Sequence, residues 1–403
     1  MSHNRNRRLV AIATVSAITG VLAVALPAHA APVMIDLGTL RGGTFSHAED
    51  INNAGTIVGT SGVAPSVWHA VKWDSRGRIT DLRTLPGDES SSAFEIADSG
   101  AVFGDSDAKP VRWSPSGAIT ELRALPDDQI PLPRDMNNAG TVVGYSRKIL
   151  SEHDLEDHAV RWDAGTGAAT ALARLPGTTD SAALAVNDNG VIVGRVSIQG
   201  GPYRAARWNT DGTVTVLGLV AGSTSTEAEA INNAGVVLGR ASAPEPVGSR
   251  TIRWSPTGEA TVLPNLPGGS GSSHVAINGN GVIAGHSGTG HGMHAVRWSP
   301  AGVITDLGTL PGHDESFARD VNADGTAVGN SDLPSDRDSG RAVRWAPNGT
   351  ATNLGLLFGG TYSSARAVND AGVIVGNATN ARGEIHAFAW RDDSGVIIGR
   401  MPG

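Results

Sequence analysis

The chain has 403 residues, carries 39 acidic against 31 basic side chains for a formal net charge of −8, and contains no cysteine. An acidic chain without a basic run is a poor partner for nucleic acid or an anionic membrane surface, and the missing thiols exclude disulfides, thiol catalysis and lipid attachment at cysteine. Only 4% of the residues are aromatic while 53 are glycine, a balance suited to many short strands and tight turns.

Residues 1–30 read as a signal peptide. Arg5, Arg7 and Arg8 form a positive start, Leu9–Leu26 is apolar apart from Thr, Ser and Gly, and Pro27 precedes the small-residue site Ala28-His29-Ala30. The alternative is an uncleaved membrane anchor; the proline and the cleavage site favour removal. Arg7-Arg8 hints at twin-arginine export, but its flanks match poorly and the general secretory route is preferred. The expectation is a secreted, extracellular protein with no stable membrane insertion after cleavage. Residues 31–403 show no linker or composition break and are expected to form a single repeat domain.

That domain repeats one nine-residue phrase, first met at Ile51–Gly59 as I-N-N-A-G-T-I-V-G and again at Ile96–Gly104, Met136–Gly144, Val186–Gly194, Ile231–Gly239, Ile277–Gly285, Val321–Gly329 and Val368–Gly376. An apolar residue ends one strand, a polar Asn/Asp/Ala turn follows, and glycine supplies the positive-φ position that reverses the chain. A β-branched run such as Thr56-Ile57-Val58 starts the return strand. A third strand ends in tryptophan, as in His69–Trp73, His158–Trp162, His294–Trp298 and Arg341–Trp345. After a turn such as Ser114–Gly117, a fourth is expected at D-L-G-T-L, Asp306–Leu310. Eight repeats of about 45 residues, each with four short strands, match the period of propeller blades. The fold class is therefore all-β: an eight-bladed β-propeller of four-stranded antiparallel blades behind a signal peptide. The recurring tryptophan is expected to pack between blades; Trp68 alone stands outside that series.

The interval from the fourth-strand position (Asp36, Asp81, Glu121, Ala171, Val216, Val262, Asp306, Asn353) to the residue before the apolar anchor (Asp50, Glu95, Asp135, Ala185, Ala230, Ala276, Asp320, Ala367) is constant. The connection from the second to the third strand varies, from Gly104–Trp113 at the shortest to Gly144–Trp162 at the longest. In an up-and-down sheet, connections 1–2 and 3–4 share a regular face, and the variable 2–3 loops share the opposite face with the 4–1 connections. Length variation on one rim of a rigid scaffold marks a recognition surface, with neutral drift of exposed loops as its rival. The fourth-strand slot occurs once too often: Met34–Leu40 precedes the first repeat and Val396–Arg400 follows the last tryptophan. Met34–Leu40 keeps the consensus I-D-L-G-T-L and is expected to pair beside Phe388–Trp390, leaving the C-terminal segment as a fringe or tail.

The phrases His386-Ala387-Phe388-Ala389-Trp390, D-L-G-T-L-P-G at Asp306–Gly312 and V-N-D-A-G-V-I-V-G at Val368–Gly376 resemble the HAF-repeat family of bacterial exported proteins, from Val33 to the C-terminus. Only the last repeat has Phe after His-Ala, and four repeats replace that His by Arg or Lys. The resemblance implies an exported repeat protein with a propeller fold and carries over no catalytic residue.

A basic residue precedes the tryptophan in seven repeats (Lys72, Arg112, Arg161, Arg207, Arg253, Arg297, Arg344), and acids occupy both ends of the constant interval in four: Asp36/Asp50, Asp81/Glu95, Glu121/Asp135 and Asp306/Asp320. They read as cross-strand ion pairs whose two acids share a neighbourhood, with a charged ring that binds a ligand as the alternative. His286, His291 and His294 form a local cluster in a Gly-rich loop without rigid ligand spacing, and His294 belongs to the repeat, so no metal is assigned. Asn187–Gly190 and Asn322–Gly325 are turns rather than Ca²⁺ loops; Asp332, Asp336 and Asp338 share one variable loop and are the better Ca²⁺ candidate of the two. No catalytic residue and no cofactor is expected. Binding is assigned to the variable loops through Trp68, His153, Tyr203, His286, His291, Asp332, Asp336 and Asp338.

The function expected is a monomeric exported binding scaffold whose extracellular ligand is a glycan, cell-wall component or protein, with no nucleic acid. The alternative is a propeller hydrolase or lyase acting on an extracellular polysaccharide with acids and His at the channel. A pair of carboxylates at a channel mouth would speak for the alternative.

Overall fold

Each repeat folds as its turn chemistry dictates. The computed structural model describes residues 33–152, 154–244, 249–269, 271–333 and 336–392, with the side chains of 336–338 excepted. Residues 1–30, expected as a signal peptide, and Val396–Arg400 lie outside the described residues. After β1 (Ile35–Asp36), the first blade is β2 (Ser46–Ile51), β3 (Ile57–Ala64), β4 (Val67–Trp73) and β5 (Ile79–Asp81), paired antiparallel in that order. The order recurs through eight four-stranded sheets, and the described residues contain no helix. The β2–β3 turn closes with the amide of Gly55 on the carbonyl of Asn52 at 2.9 Å, and Gly55 sits at φ 78°.

The fourth strand is shorter than expected. It ends at the acid from which the sequence reading began it, at Asp36, Asp81 and Asp306. The carboxylate takes the amide two residues on (Gly38, Arg83 and Gly308, at 2.7, 2.7 and 2.8 Å) and turns the chain off the sheet as an Asx turn. The leucine that follows, such as Leu37 or Leu82, is buried between blades.

Every blade carries a register shift in its first strand just before the apolar anchor, between Ala48 and Asp50 in the first and Ala365 and Ala367 in the last. The anchors and the eight tryptophans fill eight interblade cores; one gathers Leu37, Ile51, Ile57, Val71 and Trp73 with Val373, Val375 and Ala389 of the last blade. Trp73, Trp113, Trp162, Trp208, Trp254 and Trp298 also donate their indole N–H to a carbonyl of the preceding blade, from 2.7 to 3.0 Å.

The two ends of the chain close the ring. β1 pairs antiparallel with Ile385–Trp390, Ile35 opposite Ala389 and Asp36 opposite Phe388, and thereby completes a sheet whose other strands come from the last repeat. A closed ring leaves no long bare sheet edge at the junction.

Candidate functional site

The first-strand turns of all eight blades converge on one polar cavity of about 660 Å³ at the axis, on the regular face. Its wall is built from the repeat. The asparagine after each anchor accepts the amide that closes its own turn, as Asn187 Oδ1 does from Val191 at 3.0 Å. Its Nδ2 donates to the backbone carbonyl of the next blade: Asn137 to Asn187, Asn187 to Asn232, Asn232 to Asn278, and Asn278 to Asn322, at 2.8 to 3.1 Å. Asn322, Asn369 and Asn52 continue the series, and only Ala97 interrupts it.

Asp50, Glu95 and Asp320 lie one step deeper, enclosed by the ring but lining the cavity in part, and Asp135 sits behind its wall at the matching position. Asp50 accepts the amide of Ile51 at 2.8 Å and, from the next blade, that of Ile96 at 2.8 Å. Asp320 does the same with Val321 and Val368, and Asp135 takes the amide of Val186 at 2.7 Å. Burial pushes Asp50 up to about 7 even against its amide donors, and burial likewise raises Asp135 and Asp320. Burial, then the charges of Asp135 and Asp50, hold Glu95 well above the carboxylate range. Glu95 and Asp135 lie within hydrogen-bonding reach of each other, and burial raises both.

The sequence reading of these acids as neighbours of the fourth-strand acids is corrected. The ring sends one acid to the axis and the other to the outer edge, where Asp36, Asp81 and Asp306 meet Nδ1 of His386, His69 and His294 at 2.8, 2.9 and 3.0 Å. Among the described residues, the arginines before the tryptophans do not form cross-strand ion pairs within their own blades either. Arg112 donates to the carbonyls of Gly140 and Ala164 in the next blade, Arg207 to Pro256 and Arg297 to Gly325, while Arg344 meets Asp392. The long side chains of Arg112, Arg207 and Arg297 thus reach carbonyls exposed by the next blade's turns.

On the variable face the expected binding residues are spread around the rim. Trp68 is half-exposed and donates its indole N–H to Ser92 at 3.2 Å. Tyr203 stacks under the guanidinium of Arg195 at 4.3 Å and, with Leu150, Leu155, Glu156 and Asp180, lines a cleft of about 580 Å³ between the third and fourth blades. His286 meets Phe317 edge-on at 5.5 Å, and burial lowers its pKa. Phe317 in turn lines a cavity of about 300 Å³ with Asp332, so these two predicted residues lie on either side of one ring. His291 is exposed in its loop. His153 lies outside the described residues, as do the side chains of Asp336 and Asp338. Among the described residues no group of three or more His, Asp or Glu is placed to hold a metal ion. Sequence reading missed Arg319, Asn330 and Tyr362 at the second cavity; a signal was present, since Asn330 and Asn377 each follow the second glycine of the phrase.

No protein-family model and no curated relative matches the chain. Among solved structures it is similar to a puromycin hydrolase S511A mutant complexed with PGG, at a TM-score of 0.53 and 15% identity over 89% of this chain and 58% of that one. A second puromycin hydrolase structure gives 0.52 and 14% over 87% and 58%. A streptogramin B lyase gives 0.44 and 13% over 90% and 98%. The likeness is one of fold. This chain spans 58% of the length of the hydrolase chains.

Proposed function

We propose that this protein is an exported binding propeller of the HAF-repeat type, secreted and non-catalytic, which holds an extracellular glycan, cell-wall component or protein at its variable-loop face. One observation carries the reading. The longest second-to-third-strand hairpin, Val142–Ser151 with Asp154–Trp162, carries Ile149, Leu150 and Leu155 at 46, 51 and 47% exposure. It stands beside the cleft lined by Tyr203, Glu156 and Asp180. Apolar side chains at the tip of an insertion next to an aromatic and acids form the mixed surface that recognition uses. The test is binding of the purified mature protein to glycans, cell-wall fractions and extracellular proteins. A ligand retained by the protein and lost with Leu150→Ser/Leu155→Ser supports the reading; a ligand whose binding ignores both changes removes it.

A second reading rests on Glu95, which lines the axial cavity, and Asp135 behind it: a hydrolase or lyase of extracellular polysaccharide with Glu95 as the acid. Against it, the amides of Val186 and Met136 already engage Asp135, and Met136 also faces Glu95, so the pair clasps blades together. Polysaccharide cleavage that disappears in Glu95→Gln, with the fold intact, would favour this reading over the first.

A further inference from the structure

The cavity between the seventh and eighth blades is lined by Glu315, Phe317, Arg319, Asn330, Asp332 and Tyr362. Its acceptors are unusual. Asn330 and Asn377 occupy the same place in successive blades, each after the second glycine of the phrase, and both are 5% exposed. Asn377 gives its Oδ1 to the amide of Ala48 in the next blade at 2.9 Å. Asn330 instead donates its Nδ2 to Oδ2 of Asp332 at 2.5 Å. That leaves Oδ1 of Asn330 and Oδ1 of Asp332 buried with no donor among the described residues. A buried acceptor destabilises the fold unless something donates to it.

The rest of the wall says what would. Glu315 and Asp332 place two carboxylates against the single cation Arg319, which is exposed and has no carboxylate in ion-pair contact among the described residues. Phe317 and Tyr362 supply two aromatic rings. We propose that this cavity binds a zwitterion of the amino-acid type. Its ammonium donates to Asn330 Oδ1 and Asp332 Oδ1, its carboxylate meets Arg319, and its side chain rests on Phe317 and Tyr362. A cavity of about 300 Å³ has room for one such residue, free or at the end of a peptide. The site is separate from the cleft at Tyr203, so its fate does not decide the proposed function.

The test is titration of the purified mature protein with phenylalanine, a phenylalanine-terminated dipeptide, phenethylamine (no carboxylate) and phenylpropionate (no ammonium), followed by NMR and calorimetry. Saturable binding of the amino acid or the dipeptide is expected, with the stronger of the two naming the source. Asp332→Asn and, at an exposed position, Arg319→Gln should each weaken it at least about tenfold with unchanged melting. Leu150→Ser/Leu155→Ser should leave it untouched. No saturable binding of either zwitterion would mean that water alone satisfies the two acceptors, and would overturn the proposal. Equal binding of phenethylamine or phenylpropionate, or indifference to both variants, would overturn it as well.

Discussion

Asn369 donates from Nδ2 to the backbone carbonyl of Asn52 at 3.1 Å, across 317 positions of sequence, and in doing so joins the last first-strand turn to the first. The same bond links six other neighbouring turns, so the axis is laced by a nearly continuous girdle of side-chain amides, each of which also closes its own turn.

The gap in the girdle is a place to strengthen it. Ala97 is buried where the other blades have asparagine, and the amide of Ala101 and the carbonyl of Asn137 stand where Asn partners stand elsewhere. Ala97→Asn should stabilise the fold by about 1 kcal/mol, and Asn232→Ala, which breaks an existing link to Asn278, should cost a similar amount or more. Thermal unfolding of the two variants checks the opposite signs; a destabilising Ala97→Asn would mean the turn cannot accept the side chain.

Trp254 is fully buried, and its indole N–H donates to Gly218 of the preceding blade at 2.7 Å. Trp254→Ala should cost about 3–5 kcal/mol, for the cavity and the lost bond together. Denaturant unfolding measures it, and an unchanged midpoint would be incompatible with an interblade core at this position.

Ring closure depends on the N-terminal strand. Met34 and Leu37 are buried, the amide of Leu37 donates to Ala387 at 2.9 Å, and Asp36 pairs with His386, whose pKa it raises. Deleting residues 33–40 strips the last blade of its outer strand and should lower the melting temperature and promote aggregation. The blade already has four strands without residues 397–403, so deleting those should have a far smaller effect. Greater sensitivity at the C-terminal end would refute this assignment.

The axial acids impose a pH dependence. The unfolded chain holds Asp50 near 3.9, and the fold raises it to about 7. A raised carboxyl stabilises the protonated fold: its contribution is complete below the unfolded value and is lost as pH rises through the folded one. Glu95, Asp135 and Asp320 act in the same direction. His274 opposes them at the acid end, since burial lowers it to about 4 and its stabilising share is lost as pH falls toward that value. Between about pH 6 and pH 8 the acids dominate, so the melting temperature should fall as pH rises. Asp50→Ala, which copies Ala185, Ala230, Ala276 and Ala367, should cost about 1 kcal/mol at pH 6 and less at pH 8. A pH slope unaltered by the substitution would show that Asp50 titrates normally in the fold.

Much of this architecture is local and therefore readable along the chain. The glycine of each phrase must reach positive φ, the tryptophan ends each third strand, and the consensus in Ile35–Leu37 is kept while that after Trp390 is lost; turn geometry and strand pairing act over a few residues and leave a periodic trace. The role of Asp50 left a trace too, but one that pointed the wrong way. Its occurrence together with Asp36 suggested a shared neighbourhood, whereas curvature places Asp50 at the axis and leaves Asp36 on the outer strand, beside His386.

Sequence alone determined the repeat, its four strands, the number of blades and the strand that closes them, because each is set by contacts within a repeat or between adjacent repeats of the same spacing. The tertiary structure decided what the ring's curvature brings together. It turned the carboxyl of Asp50 onto the amide of Ile96 and the indole of Trp73 onto the carbonyl of Leu37. It also left Asn330 without the backbone donor that Asn377 finds in the next blade. Those outcomes depend on angles and distances between blades, and a one-dimensional period carries neither.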